Sequence, residues 1–247
     1  MVENKSYKLY FDDCLNTMSM IQDKIVDMVF CDLPYGTTQN KWDCIIPLES
    51  LWEQYNRIVK DNGAIVLTAS QPFTSKLIMS NPKNFKFEWI WKKTVGSGQL
   101  NIKRQPLKVH ESVVVFYKKP PVYNEIKTKG DPYVMNRKAA EFEDTSYGKQ
   151  KNVVKNNDGF RHAKSIIEIA NPRVKGGHPT QKPVALCEYF IKTYSNPGDL
   201  ILDNCMGSGT TGVACLNTGR RFVGIENDEQ YFKMAEEKLL KAKNEEK

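Results

Sequence analysis

Residues 25–30, IVDMVF, form a short and mostly apolar run that ends on Cys31-Asp32-Leu33-Pro34-Tyr35-Gly36. A strand that is apolar on both faces has to be covered on both sides, the condition met by parallel sheets in α/β proteins. The next forty residues fit that condition. A helical pattern over residues 48–60 leads to an Asn62-Gly63 turn, then to a second buried strand, Ala64-Ile65-Val66-Leu67-Thr68, and to a short helix over residues 71–80. Strand, helix, strand in this order predicts parallel pairing. The alternation returns near the C-terminus. There a helix over 181–194, with Pro183 in its first turn, precedes a strand at 199–203, a glycine-rich turn and helix, a strand at 221–226 and a helix over 229–243. With 247 residues, the chain has room for one such core and a modest insertion.

Between these halves the pattern changes. FEWIWKK from Phe87 and SVVVFYKK from Ser112 carry the aromatic and β-branched residues of a pleated surface, with no helix between them, so they are expected to pair antiparallel. Residues 124–177 are charged, Asn-rich and Gly-punctuated, with little apolar periodicity, and so contribute little core. The expected division is 1–122 and 177–247 as two halves of one core, with 123–176 inserted between them. Residues 37–42, which include Trp42, read as a loop.

Two turns carry candidate chemistry. Gly207-Ser208-Gly209-Thr210-Thr211-Gly212 follows a strand and opens a helix, the context in which a G-x-G-x-x-G turn accepts a nucleotide. Glu226 ends the next strand, where a carboxylate can take hydrogen bonds from ribose hydroxyls. Together they suggest an adenosine-containing cofactor. A dinucleotide dehydrogenase competes with this reading, although such an enzyme normally begins with this unit. The second turn is Asp32-Leu33-Pro34-Tyr35. If the Asp32 carboxylate and the Leu33 carbonyl each accept one N–H of an aromatic amine, its nitrogen pyramidalises and its lone pair is freed for a sulfonium methyl. Pro34 sets the turn, and Tyr35 offers a flat face to a base taken out of its stack.

In their order these segments resemble the β class of amino-methylating DNA methyltransferases, in which a D-P-P-Y motif precedes the cofactor motif. Leu33 stands where the first proline is usual, a mild departure because the backbone carbonyl does the work. Gly177-His178-Pro179-Thr180-Gln181-Lys182-Pro183 and Asp203-Asn204-Cys205-Met206-Gly207-Ser208-Gly209-Thr210-Thr211 are similar to the segments flanking that family's cofactor strand. Asp12-Asp13-Cys14 is similar to its G-D-C-L segment. The resemblance implies a Rossmann-like methyltransferase fold, circularly permuted, with a seven-stranded, mostly parallel sheet containing one antiparallel strand and a small target-recognition insertion. It implies S-adenosylmethionine as cofactor, double-stranded DNA as partner and Asp32, Leu33, Pro34 and Tyr35 as the catalytic turn. For the cofactor it points to Asp13, Cys14, Asp32, His178, Thr180, Lys182, Asp203, Asn204, Met206, Gly207, Ser208, Gly209, Thr210, Thr211, Glu226 and Asn227. With Cys205 and Met206 replacing the family's frequent Pro and Phe, the aromatic contact to the adenine is expected to be weaker or to come from elsewhere, for instance Phe222 or Tyr231. Adjacent chain termini, a homodimer and a cognate restriction enzyme are further expectations by analogy.

A formal charge of +7 favours a polyanionic partner, though many solvated surfaces are equally basic. Trp42, Lys93, Lys103, Arg104, Arg137, Arg161 and Arg173 are the candidate DNA contacts. Adenine N6 is favoured over cytosine N4 because an aspartate leads the motif. A cytosine C5 enzyme would need a nucleophilic cysteine, typically after proline, and the chain has no Pro-Cys dipeptide. RNA or protein amino methyltransferases have the motifs in the other order. A non-catalytic DNA-binding module would explain the charge but neither turn. None of the 6 cysteines forms a C-x-x-C pair and the 3 histidines are scattered, so neither a metal site nor a disulfide framework is expected. No apolar run suits a membrane span or a secretory signal, and the expected location is cytoplasmic.

Overall fold

A computed structural model describes residues 1–37, 43–137, 152–171 and 181–245. In chain order the elements are β1 (Val2–Glu3), β2 (Tyr7–Phe11), α1 (Cys14–Met20), β3 (Val26–Asp32), α2 (Leu48–Ile58), β4 (Val59–Ala69), α3 (Phe73–Ser80), β5 (Phe85–Ser97) and β6 (Lys108–Phe116). Then come β7 (Thr128–Lys129), β8 (Tyr133–Arg137), β9 (Val153–Asn157), β10 (Phe160–Arg161), β11 (Ile166–Glu168), α4 (Val184–Tyr194), β12 (Leu200–Asp203), α5 (Thr210–Asn217), β13 (Arg221–Glu226) and α6 (Glu229–Glu245). Among the described residues no helix is long and apolar enough to cross a membrane.

The chain divides into two compact units, Met1–Asn124 with Ser165–Lys247, and Glu125–Lys164. The first contains a nine-stranded sheet in the order β1-β2-β13-β12-β3-β4-β6-β5-β11. From β2 through β4 all neighbours are parallel, and β6 runs against both β4 and β5. The seven strands from β2 to β5 are therefore the mostly parallel sheet with one reversed strand that the sequence implied. Short strands extend it at each edge: β1 antiparallel to β2, and β11 parallel to β5. Residues 166–168 were expected within the insertion, because three residues are too few to show a period; they belong to the main sheet instead.

β3 lies inside the sheet and is covered on both sides. Met28, Val29, Phe30 and Cys31 are all buried. Phe30 stacks on Phe190 of α4 at 5.9 Å, while Val29 and Cys31 share a core with Leu51, Tyr55 and Ile58 of α2. Each large apolar side chain buried this way contributes roughly 1.5–3 kcal/mol. α2 forms because Leu51, Trp52, Tyr55 and Ile58 line one face, with Glu49 in its first turn and Arg57 in its last. β4 starts earlier than the Asn62-Gly63 turn suggested: Val59 already pairs with Val26 before a register shift. Gly63 sits in that irregularity, where a Cβ would come within 2.7 Å of the Asp27 carbonyl.

The N-terminal and C-terminal parts of the fold share the same layer. β2 pairs with β13 in register, Phe222 opposite Tyr7, and the Phe11 ring lies 5.5 Å from that of Phe232 on α6. The smaller unit is built from two short antiparallel pairs, β8 with β9 and β7 with β10. Its order comes from backbone ladders and from Arg161, whose guanidinium lies 4.6 Å from the Tyr133 ring centroid.

α5 packs on β13 and α6 through Gly212. A Cβ there would lie 2.7 Å from the Phe222 ring and 2.9 Å from Leu239. Gly212→Ala is expected to destabilise the fold by about 1–3 kcal/mol, read as a lower midpoint in urea melts.

Candidate active site

Parallel strands end at one edge of a sheet, and there β3, β4, β6 and β5 set a row of polar side chains. Asp32 closes β3, and Thr68 lies directly opposite it on β4. Glu111 is on β6 and Lys93 on β5. The Asp32 Oδ1 accepts the Tyr35 hydroxyl at 2.7 Å and also the Thr68 hydroxyl. Its Oδ2 accepts the Lys182 ammonium at 2.7 Å. Lys182 is also 3.2 Å from Glu111 Oε2, and Lys93 closes on Glu111 Oε1. Four alternating charges thus run from Asp32 to Lys93, with Glu111, Lys93 and Lys182 each no more than 13% exposed.

The surroundings set the ionisation of this row. Burial, then the Asp32 charge, push the Tyr35 hydroxyl well above its ordinary pKa, so it remains a donor. Burial alone would lower Lys182. Its neighbours Asp32, Tyr35 and Glu111 reverse that and hold the ammonium well above its ordinary value. Lys182, expected at the cofactor, pairs with the Asp32 carboxylate. Lys93, a candidate DNA contact, is buried against Glu111 instead. The Tyr35 ring stacks on Phe73 at 5.4 Å, and its hydroxyl helps hold Asp32. Beyond the turn, the Asp43 carboxylate accepts the Gly36 and Thr37 N–H groups, both at 2.8 Å, and so fixes the exit from residues 32–35.

Next to β3, β12 ends in Asp203 and the glycine turn. Gly207, at φ +51, has nothing within 4 Å of where a Cβ would lie, so its backbone faces open space. Gly209, at φ +80, allows the left-handed start of α5 and close packing on Ala235. Of the turn's glycines, only Gly207 offers the close backbone approach that the motif suggested; Gly209 and Gly212 serve packing. The Glu226 Oε2 accepts the Gly207 N–H at 2.8 Å, and Oε1 accepts those of Asn227 and Asp228. Burial raises the Glu226 pKa, and these three donors oppose the rise. Ser208 is buried between Gln181 and Lys238, whose ammonium donates to its hydroxyl at 2.8 Å. Thr210 and Thr211 are buried in the first turn of α5. Met206 is buried, its sulfur packed on Gly224. Phe222 lies wholly in the core against Gly212 and Gly224, which overturns the expectation of an adenine contact from it.

Asn204 is buried, and its Oδ1 accepts the Tyr55 hydroxyl at 2.5 Å. Asp13 caps α1 through Oδ1, which accepts the Leu15 and Asn16 N–H groups. The thiol of Cys14 is hydrogen-bonded to Cys205 and buried, and its pKa is raised. Cys14 is thus enclosed, whereas Asp13 is exposed and uses only Oδ1 in the cap. Arg161 is also committed, donating to Asn157 at 2.5 Å and to the Asp131 carbonyl. Lys103 and Arg104 are exposed on the turn between β5 and β6. Arg137 closes β8. Trp42, Arg173, His178 and Thr180 lie outside the described residues. Thr68, Glu111, Asp43, Tyr55, Gln181 and Lys238 were missed, because nothing local marks a residue whose partner is remote in sequence.

The DNA methylase family, N6_N4_Mtase, matches residues 26–237, from β3 into α6. The chain therefore belongs to this family of amino-methylating DNA methyltransferases. DNA adenine methyltransferase YhdJ of Escherichia coli (strain K12) is 27% identical over 259 residues, covering 96% of this chain and 83% of that protein. Type II methyltransferase M.HpaI of Haemophilus parainfluenzae is 26% identical, with coverage of 94% and 74%. The solved M1.HpyAVI-SAM complex superposes with a TM-score of 0.65 at 27% identity, over 94% of this chain and all 100% of that one. The cytosine-N4-specific PvuII DNA methyltransferase gives a TM-score of 0.67 at 15% identity, covering 98% of this chain and 92% of that one, a likeness of fold.

Asp203 provides a test of this site's electrostatics. Burial pushes its carboxyl up to about 6, against hydrogen bonds from Thr211, the Cys205 N–H and Cys31. A carboxyl raised in the folded state favours folding below its unfolded value, and that contribution is lost as pH rises through about 6. Between pH 5 and pH 7, Asp203→Asn should gain about 1 kcal/mol relative to the parent protein, measured by paired thermal melts.

Proposed function

We infer that this protein transfers a methyl group from S-adenosylmethionine to N6 of an adenine rotated out of duplex DNA. The observation that carries this reading is the pairing of β3 with β12: an amine-accepting carboxylate and a nucleoside-accepting turn leave the same sheet edge on neighbouring strands. The cofactor fits the residues present. Gly207 leaves its backbone open, and Glu226 Oε2, with one donor from Gly207, has capacity for a ribose hydroxyl. When bound, S-adenosylmethionine supplies a methyl group carried on a sulfonium sulfur.

The residues of this chain then divide the work. Asp32 and the Leu33 carbonyl each accept one N–H of the target amine, which aims its nitrogen lone pair. Tyr35 and Thr68 keep the Asp32 carboxylate in place. The Tyr35 ring, backed by Phe73, supports the extruded base and offsets a few kcal/mol (roughly) of unstacking. Adenine is supported by the leading aspartate and by the likeness to a DNA adenine methyltransferase. The unit Glu125–Lys164 is our candidate for reading the target sequence, and the exposed Lys103 and Arg104 are separate candidates for phosphate contacts. The type II relatives support a role beside a cognate restriction enzyme, in the cytoplasm where the DNA lies; a homodimer belongs to the same reading.

The test is transfer of labelled methyl groups to unmethylated bacterial DNA, followed by nucleoside analysis. N6-methyladenine is the expected product, and Asp32→Ala should lower its rate by more than about a hundredfold. N4-methylcytosine would overturn the choice of base, and label found only in RNA or protein would overturn DNA as substrate.

A further inference from the structure

Asp32 is already engaged in the free protein. Oδ1 accepts two hydroxyls, those of Tyr35 and Thr68, which fills its two lone pairs. An arriving N–H therefore has to use Oδ2, and Lys182 sits there at 2.7 Å. The same ammonium is 3.2 Å from Glu111 Oε2. That oxygen is buried and has no hydrogen bond, while Oε1 is held by Lys93. A buried carboxylate oxygen without a donor is costly, and a small movement of Lys182 would satisfy it.

We propose that Lys182 is a displaceable counterion of Asp32, and that Glu111 is a positioning residue that receives the ammonium when the target amine takes Oδ2. The proposal rests on the functional reading above, methyl transfer to a base amine held by Asp32. Only hydrogen bonds change partners in the exchange, and no proton moves. Its use is electrostatic. As the methyl group is transferred, the amine nitrogen becomes positive, and an ammonium left on the same carboxylate oxygen would oppose that charge. Seated on Glu111, Lys182 still balances the buried anion. Other titratable groups close to this row include Tyr35 on the Asp32 turn, Lys108 on β6, which feels Glu111, Lys93 and Lys182, and Cys187 on α4 and Asp203 on β12, which both feel the Asp32 charge.

The experiment is a double-mutant cycle on single-turnover methyl transfer to DNA, with rates taken per S-adenosylmethionine site titrated by equilibrium dialysis. That normalisation keeps partial unfolding from counting as lost chemistry. Glu111→Gln, which removes the charge that draws Lys182 away, should lower the rate about tenfold with the cofactor dissociation constant unchanged. Glu111→Asp keeps the charge and should recover most of the loss. On a Lys182→Met background, where there is no ammonium to displace, adding Glu111→Gln should cost little more. Losses that simply multiply, or an Asp variant as slow as the Gln variant, would overturn the exchange. Should the parent protein methylate no DNA at all, the functional reading itself fails and takes this proposal with it.

Discussion

The parallel pairing of β3 with β12 on one side and β4 on the other is the constraint from which the site follows. Ile201 and Leu202 lie opposite Met28 and Val29, while residues 28–32 run beside residues 64–68. Both faces of β3 are covered, by α4 through Phe190 and by α2 through Tyr55 and Ile58. A one-residue slip would turn Phe30 away from Phe190 and towards the α2 side, where Val29 and Cys31 now pack, so the register is held by side-chain fit. Because parallel strands share an edge for their C-terminal ends, Asp32, Thr68 and Asp203 emerge together although the chain separates them widely.

The polar row at that edge is unusual in its burial. Charges of both signs at Lys182, Glu111 and Lys93 have left water beside a half-buried Asp32, and the attraction within such pairs does little more than offset desolvation. Stability alone is therefore a weak reason for the arrangement. The gain is orientation: a carboxylate that would otherwise rotate freely is held by two hydroxyls and an ammonium. The glycine turn is held in a similar way, since Glu226 ties the Gly207 and Asp228 N–H groups together while one side of Gly207 stays open.

Much of this was legible in the sequence alone. Residues 26–30 and 200–203 are strands because their apolar runs are short and bounded, and the two turns stand out because each follows such a run. β5 and β6 were visible in their aromatic and β-branched residues. The strands β7 to β10 were not, since Asn-rich and charged segments that pair through backbone ladders leave no apolar period. Lys93 looked like its exposed neighbours, because a lysine's sequence context does not reveal whether a glutamate eighteen residues later will face it across an antiparallel pair. Phe222 was misjudged for the converse reason: its role depends on Gly212 and Gly224, which leave room for its ring.

By itself the sequence determined the order of the long core strands and the helices that alternate with them, the two turns and the chemistry each can support, because hydrophobic period, glycine and proline act locally. Only the tertiary structure decided which side chains meet. Lys182 lies 150 residues from Asp32, and Tyr55 lies 149 from Asn204, yet each pair is hydrogen-bonded. Such contacts depend on register and on how helices cover a sheet, which are properties of the packed chain as a whole. For that reason the Asp32-Leu33-Pro34-Tyr35 turn could be read from four adjacent residues, while the Lys182–Glu111–Lys93 row that surrounds it appeared only when four strands and a distant lysine were brought to one edge.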